Sequence, residues 1–152
     1  MIENKALSLQ KQNRLEQCFG CGTNNAKGLH IQSYWQGDES ICTFQAQSHY
    51  HGGKPNIVYG GLIASLIDCH SVNTAISNAY KEQNREPGTD PVLVYLTAQL
   101  NVTYIKPTPL DKPIKLKAKI MSVEGKKTWV ECVVTSDNEI CAQAKVLAIC
   151  AN

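Results

Sequence analysis

The chain has 152 residues, of which 43% are hydrophobic and 18% are charged, and its formal net charge is +2. This length suits one compact domain that buries roughly two-thirds of the surface exposed by the unfolded chain. The nearly balanced charge, with lysines and arginines scattered along the chain, excludes a dedicated nucleic-acid-binding surface.

No apolar run approaches the ~20 residues that span a bilayer, and the N-terminal segment lacks the apolar core of a signal peptide. We therefore expect a cytoplasmic protein without a membrane partner. The odd number of cysteines, seven, argues against a disulfide framework. Five of them lie within apolar patterns and are predicted to be buried free thiols: Cys42, Cys69, Cys132, Cys141 and Cys150.

The first predicted element is a polar helix over residues 4–17, within an N-terminal helical extension assigned to residues 1–17. It is typical of a lid helix or of a frayed helix, and it ends at the glycine-rich run CFGCGTNNAKG. Two segments of alternating polarity follow, at residues 29–35 and 40–47, with a turn at Gly37 between them. This pattern predicts a β-hairpin.

A loop over residues 49–56 precedes an apolar segment that runs from Ile57 to about Tyr80. The segment shows no period-2 alternation and predicts a long, largely buried helix that starts near Gly60. The charged stretch at residues 81–91 predicts a loop long enough to be mobile. Four strands should follow, separated by runs of turn residues, at residues 92–104, 114–123, 128–135 and 141–150.

This order of elements favours an α+β fold in which an antiparallel β-sheet wraps around one long central helix. A sheet with one apolar face needs a cover, and the apolar helix provides it. Neither an internal repeat nor a low-complexity segment divides the chain. We therefore treat residues 1–152 as a single domain.

The paired glycines Gly60 and Gly61 are the first chemical feature of the long helix. Residues at the start of a helix have free backbone N–H groups, and without a Cβ atom they allow a carbonyl or an oxyanion to approach closely. Such donors build oxyanion sites. The alternative is that the two glycines only allow the helix to pack tightly against the sheet.

Asp68 lies a little over two turns further along this helix, among Leu, Ile, Ala and Ser. A carboxylate in such company is costly unless it faces a cavity or a partner, and desolvation would raise its pKa toward that of a general base. The alternative is a polar helix edge that reaches solvent. His70 points to a different helix face, which favours a structural histidine and leaves it a secondary site candidate.

The spacing of Cys18 and Cys21 matches half of a zinc knuckle. A structural zinc ion needs four ligands, and His30, His49 or His51 would have to complete the set. A glycine-fixed turn with both thiols reduced is the favoured interpretation, so we predict no metal. The chain also lacks a G-x-S-x-G elbow, a phosphate-binding loop and a dinucleotide fingerprint.

The run VYGGLIASLID resembles the signature of hotdog-fold thioesterases of the phenylacetate-pathway and 4-hydroxybenzoyl-CoA type. In those enzymes a His-Gly-Gly precedes an apolar helix that carries Asp or Glu at this distance. The segments CFGCG, NNAKGL, HYHGGKPNIV and TAQLNVTYIKPTPLDKPIKLKAKI resemble the same superfamily in the right order. The similarity runs from Cys18 to the C-terminus and implies the hotdog fold.

The resemblance also implies roles for individual residues. Asp68 takes the place of the carboxylate that activates water or attacks the thioester carbonyl directly. Gly60 takes the place of the residue whose backbone N–H polarises that carbonyl. Thr97 matches a Ser/Thr position that, in related enzymes, helps to hold the attacking water from the neighbouring subunit.

Tyr59 stands where the family usually has histidine, so any role of an imidazole is lost, although its hydroxyl could donate a hydrogen bond. We count Tyr59 among the catalytic candidates. Gly61, Asn56 and His70 are the candidates for substrate binding.

The implied activity is hydrolysis of an acyl-CoA or related thioester, without a cofactor, by a homodimer or homotetramer with active sites between subunits. Basic candidates for the CoA phosphates are Lys106, Lys126, Lys127 and Arg85, for which solvated surface positions are the alternative. Two other functions stay open: a non-catalytic acyl-thioester-binding protein, and a hotdog hydratase or dehydratase. The absence of histidine at Tyr59 speaks against the hydratase.

Overall fold

The computed structural model describes residues 6–152. The elements, in chain order, are α1 (Leu9–Gln12), β1 (Ser33–Gln36), β2 (Glu39–Phe44), α2 (Gly60–Glu82), β3 (Tyr95–Tyr104), β4 (Ile114–Glu124), β5 (Lys127–Ser136) and β6 (Glu139–Cys150). This is the hotdog architecture, so the fold class predicted from the sequence is confirmed. Among the described residues, no helix is both long and apolar enough to cross a membrane.

The six strands form one antiparallel sheet in the order β1-β2-β4-β5-β6-β3. Helix α2 packs on one face of it, and fourteen of its 23 residues are buried. Fully buried side chains such as Leu66 and Ile76 meet Ile114 and Val146 in the core. Each such side chain contributes ~1.5–3 kcal/mol on leaving water, so core packing fixes the position of the helix.

Strand β3 is one edge of the sheet and pairs only with β6. Most of its ten residues are exposed, including the apolar Leu96 and Leu100. The opposite edge, β1, has only four residues. Sheet edges are usually short or charged because open backbone groups invite pairing, and β3 has neither protection.

The N-terminal helix is shorter than the sequence predicted. Of the predicted residues 4–17, the first two lie outside the described part of the chain, and only Leu9–Gln12 is helical. The left-handed backbone of Arg14 ends the helix (φ 62°). The segment is docked on α2, because the buried Asn13 donates hydrogen bonds to Asn73 and Ser77 of that helix.

Strand β1 is also shorter than the predicted residues 29–35. Leu29 and Ile31 donate backbone hydrogen bonds to the carbonyls of Phe19 and Gly20 instead of to a strand. Between them, His30 has a left-handed backbone (φ 55°), which interrupts any extended conformation. The segment therefore docks against the cysteine-containing loop before it joins the sheet.

The burial predicted for five cysteines is correct for three of them. Cys42, Cys132 and Cys141 are buried, whereas Cys69 and Cys150 are half-buried. The two half-buried cysteines are partly exposed for different reasons. Cys69 lies on the side of α2 that faces the N-terminal loop, and Cys150 is the last residue of β6.

His70 is fully buried between α2 and the first hairpin. Its Nε2 faces the Ser40 carbonyl at 3.2 Å, and its Nδ1 lies 2.7 Å from Ser33 Oγ. Because a carbonyl can only accept, Nε2 donates and Nδ1 accepts from Ser33. Burial lowers the pKa of His70 from 6.5 to about 4, against the opposing effect of the Ser40 carbonyl.

We predict that His70 makes the protein acid-sensitive. A folded-state pKa below the unfolded one means that the unfolded chain binds the extra proton, so stability is complete above pH 6.5 and falls toward pH 4. A fall in the pKa of His70 from 6.5 to about 4 corresponds to about 3 kcal/mol of stability lost across this window. Denaturant unfolding measured at several pH values should show a shallower slope for His70→Gln. The exposed His30→Gln should keep the wild-type slope, and equal slopes for all three proteins would contradict the assignment.

Candidate functional site

The start of α2 presents free backbone donors. Tyr59 is the N-cap residue and makes no side-chain capping hydrogen bond. Gly60 and Gly61 are the first two helical residues, whose N–H groups have no partner within a helix. The positive end of the helix dipole adds to these donors, so the position suits a carbonyl oxygen or an oxyanion.

A pocket of about 530 Å³ opens at this helix start. Tyr59, Gly60 and Tyr104 line it together with two lysines, Lys54 and Lys106. The Tyr104 hydroxyl donates to the Gly60 carbonyl at 2.6 Å, which ties the end of β3 to the first turn of α2. The pocket thus combines apolar walls, free N–H groups and positive charge.

The two glycines differ in what surrounds them. A Cβ atom on Gly60 would lie 3.6 Å from the Tyr104 ring, an ordinary contact. A Cβ atom on Gly61 would overlap the ring of Tyr59, which folds back over the helix start. Because Tyr59 is 59% exposed, this ring can swing away. Tyr59 therefore lies against Gly61 at the helix start as a largely exposed side chain.

Asp68 and Thr97 form the second part of the site. Thr97 Oγ1 donates to Asp68 Oδ1 at 2.5 Å, linking α2 to the edge strand β3. Burial raises the pKa of Asp68, the Thr97 hydrogen bond opposes this, and the nearby Cys18 raises it further. The carboxylate is held in place on one oxygen and poised toward the range of a general base.

Thr97 contacts Asp68 within its own chain. The role that the resemblance implies for this position, holding the attacking water from the neighbouring subunit, stays a prediction. Within one chain, the backbone donor at Gly60 is far from the Asp68 carboxylate. Gly60 and Asp68 are eight residues apart on one helix, or ~12 Å along its axis. One carbonyl group cannot contact both within a single chain.

The other predicted residues lie elsewhere. His70 is enclosed between two serines and has no exposed surface, so the structure does not bring it to the site. Asn56 is exposed with a left-handed backbone (φ 64°) and lines a neighbouring pocket, where its carbonyl accepts from Leu110 N. Arg85 is bonded to the carbonyls of Thr89 and Pro91 within its own loop.

Of the basic candidates, Lys106 lines the pocket, whereas Lys126 and Lys127 lie at the β4–β5 turn. Two further pocket residues, Lys54 and Tyr104, are not recognisable from the sequence. Lys54 stands between Gly53 and Pro55 in a loop, and no local pattern connects it with α2. Only the fold brings it to the helix start.

Comparisons with known proteins place the chain in a family. A thioesterase superfamily protein from Shewanella loihica is 34% identical in sequence, with a TM-score of 0.62, over 78% of this chain and 89% of that one. Mouse acyl-coenzyme A thioesterase THEM4 is 33% identical over 100 residues, 66% of this chain. A Streptococcus mutans protein bound to acetyl CoA has a TM-score of 0.65 at 17% identity, over 80% of this chain and 89% of that one. No protein-family model matches the chain.

The chain spans between 36% and 50% of the length of the curated relatives it matches. The hotdog sheet, the buried helix and the Shewanella relative together define the class: a hotdog protein with a carboxylate on its central helix. The chain belongs to the thioesterase superfamily, as the sequence resemblance indicated.

We predict that Thr97→Val raises the pKa of Asp68 further, because valine keeps the shape of threonine and removes the hydrogen bond that favours the ionised carboxylate. Thr97→Ser keeps the hydroxyl and should leave the titration near that of the wild type. Carboxyl ¹³C chemical shifts followed against pH would measure both. An unchanged midpoint in Thr97→Val would show that the contact does not form in solution.

Proposed function

We propose that the protein hydrolyses acyl-CoA thioesters, with Asp68 as general base. The observation that carries this proposal is the Asp68–Thr97 pair, a half-buried carboxylate with a raised pKa held by a hydroxyl beside the exposed edge of the sheet. The relatives support the substrate class, since mouse THEM4 is named an acyl-coenzyme A thioesterase and the S. mutans structure is bound to acetyl CoA.

In the proposed reaction, Asp68 accepts a proton from a water molecule that Thr97 helps to place. The resulting hydroxide adds to the thioester carbon, and the charge on the carbonyl oxygen is stabilised by the Gly60 N–H at the helix start. Collapse of the tetrahedral intermediate breaks the C–S bond. The thiolate leaves and takes the proton from Asp68, which restores the carboxylate. The carboxylic acid is the second product.

Lys54 and Lys106 are the proposed contacts of the CoA phosphates. Both line the pocket in which Gly60 lies. Lys106 pairs with Glu139 at 2.9 Å, but both side chains are about half exposed, and exposed pairs contribute little to stability. A phosphate group can therefore replace Glu139 as the partner of Lys106.

A complete site requires a second copy of the chain, because Gly60 and Asp68 of one chain lie ~12 Å apart. The exposed strand β3 offers the surface for it. Thr97 near one end of β3 contacts Asp68, and Tyr104 at the other end contacts Gly60. Antiparallel pairing of two β3 strands centred near Leu100 would place Thr97 opposite the second copy's Tyr104.

This register would bring Asp68 of each chain to Gly60 of the other. It would also cover Leu100 and satisfy the open backbone groups of the edge. We therefore propose a homodimer with two shared active sites as the smallest active assembly. Pairs of such dimers would give the tetramer.

We predict that Asp68→Asn lowers kcat on the best substrate by at least ~10²-fold, because the amide cannot accept the proton. Thiol release from short, medium, long and aromatic acyl-CoAs would measure it. Asp90→Asn, on an exposed loop carboxylate, is the matched control and should keep full activity. Wild-type protein that binds acyl-CoA but releases no thiol from any of them would favour the non-catalytic binding protein instead.

The shared site predicts complementation between two inactive variants. Gly60→Pro removes the N–H at the first helical position, where proline is tolerated, and Tyr59 already has the extended backbone that precedes proline. We expect a loss of ~10²–10³-fold in kcat for Gly60→Pro. Gly60→Ala keeps the N–H and should stay close to wild type.

Mixed dimers of Asp68→Asn and Gly60→Pro chains should regain about half of the wild-type activity, since one of the two shared sites contains an intact Asp68 and an intact Gly60. The heterodimer is isolated through two different affinity tags. Its mass in solution, determined by light scattering, gives the oligomeric state. A heterodimer as inactive as both parents would show that each site belongs to a single chain.

A further inference from the structure

Three cysteines from distant parts of the sequence meet beside the candidate site. The Sγ atoms of Cys18, Cys21 and Cys69 all lie within 4.8 Å of one another, and those of Cys18 and Cys69 are 3.8 Å apart. Cys18 and Cys21 belong to the N-terminal loop, whereas Cys69 lies on α2, next to Asp68. Cys69 therefore adds a third thiol to the Cys18–Cys21 pair, which the spacing of that pair does not reveal.

The spacing of the sulfur atoms matches that of a metal site. Zinc binds thiolates at ~2.3 Å, so two sulfur ligands at a tetrahedral angle lie ~3.8 Å apart. This agrees with the distance between Cys18 and Cys69. A disulfide would need ~2.05 Å. The three thiols are thus arranged around a point between them rather than paired with one another.

The surrounding chain is shaped to hold the three sulfurs together. A Cβ atom on Gly20 would overlap the Cys69 sulfur, and one on Gly22 would lie 2.5 Å from the backbone N of Cys18. Glycine at these two positions lets the loop turn tightly against α2, and Gly22 N donates to the Cys18 carbonyl at 2.7 Å.

A buried amide supplies a second, independent indication. Asn73, only 1% exposed, directs its Nδ2 at the Cys21 sulfur at 3.6 Å and at the Cys69 carbonyl at 2.8 Å. Donors of this kind orient thiolate ligands and favour their charged form in metal sites. The amide thus holds two of the three cysteines in register, one from each segment.

We propose that Cys18, Cys21 and Cys69 bind one thiophilic metal ion, zinc, as three thiolate ligands, with the fourth position open to water. Soft thiolates without an imidazole or a carbonyl select such ions over magnesium or calcium. His30 does not complete the set, because among the described residues only the three cysteines bring their ligand atoms within 4.8 Å of one another. The Nε2 of His30 is instead hydrogen-bonded to the Asn25 carbonyl at 2.6 Å. Cys18 and Cys69 are only half-buried, which leaves a route for the ion and its water.

The ion would fasten the N-terminal loop to α2 at the residue that follows Asp68. It would act as a structural clip and is separate from the hydrolysis proposed above. Loss of the clip should therefore lower the stability of the loop, while its presence does not depend on whether the protein cleaves thioesters.

The test uses the whole chain, reduced and freed of metal under anaerobic conditions. Titration with zinc against a chromophoric chelator should give one equivalent bound, and cobalt(II) should give a thiolate-to-metal charge-transfer band with the visible bands of a tetrahedral ion. Cys18→Ser, Cys21→Ser and Cys69→Ser should each weaken zinc binding roughly 100-fold or more. Cys150→Ser, another half-buried thiol outside the cluster, is the matched control and should bind as the wild type does.

Two results would overturn the proposal. One is a reduced wild-type protein that takes up no zinc and shows no cobalt charge-transfer band, a measurement that needs no variant to fold. The other is zinc binding that Cys150→Ser weakens as much as Cys69→Ser does. A disulfide between two of the three cysteines in the isolated protein, with no zinc uptake after its reduction, would instead indicate a redox pair.

Discussion

Helix α2 is held by the burial of its side chains against one face of the sheet, and both parts of the candidate site depend on this packing. Because most sides of the helix are buried, it can neither rotate nor slide without exposing residues such as Leu66 and Ile76. The same packing places Gly60 at the pocket and Asp68 against Thr97. Asp68 is half-buried there, hydrogen-bonded to the edge strand β3.

The rigid spacing of the helix also determines the proposed assembly. Eight residues of α-helix separate Gly60 from Asp68, and a helix cannot shorten. Strand β3 contacts the helix near both residues, through Tyr104 and Thr97. A two-fold axis through the middle of this strand converts two separated half-sites into two complete ones. The proposed dimer therefore explains both the exposed apolar strand β3 and the separation of Gly60 from Asp68.

Polar groups connect the N-terminal segment to this framework. Gln10 and Asn13 are buried and bond to Ser33 and to Asn73, while His70 bonds to the same Ser33. Buried polar groups of this kind are costly unless each finds its partner, so they fix one arrangement of the segment. Asn73 extends the network to the cysteine cluster. Asn73 of α2 thus contacts the N-terminal segment at two points, Asn13 and Cys21, which hold the loop between them against the helix.

Elements with a local pattern could be predicted from the sequence alone. Helix α2 and strands β4 to β6 follow from hydrophobic periodicity and turn residues, and Gly60 and Asp68 stand out because their residue types are unusual in an apolar helix. Local patterns failed at α1 and β1, where left-handed residues and hydrogen bonds to distant segments replace regular structure. Three features depend on tertiary contacts: Thr97 against Asp68 within one chain, Lys54 in the wall of the pocket, and Cys69 beside Cys18 and Cys21. These contacts join residues far apart in sequence, and their partners are selected by the packing of the sheet on the helix, which periodicity does not encode.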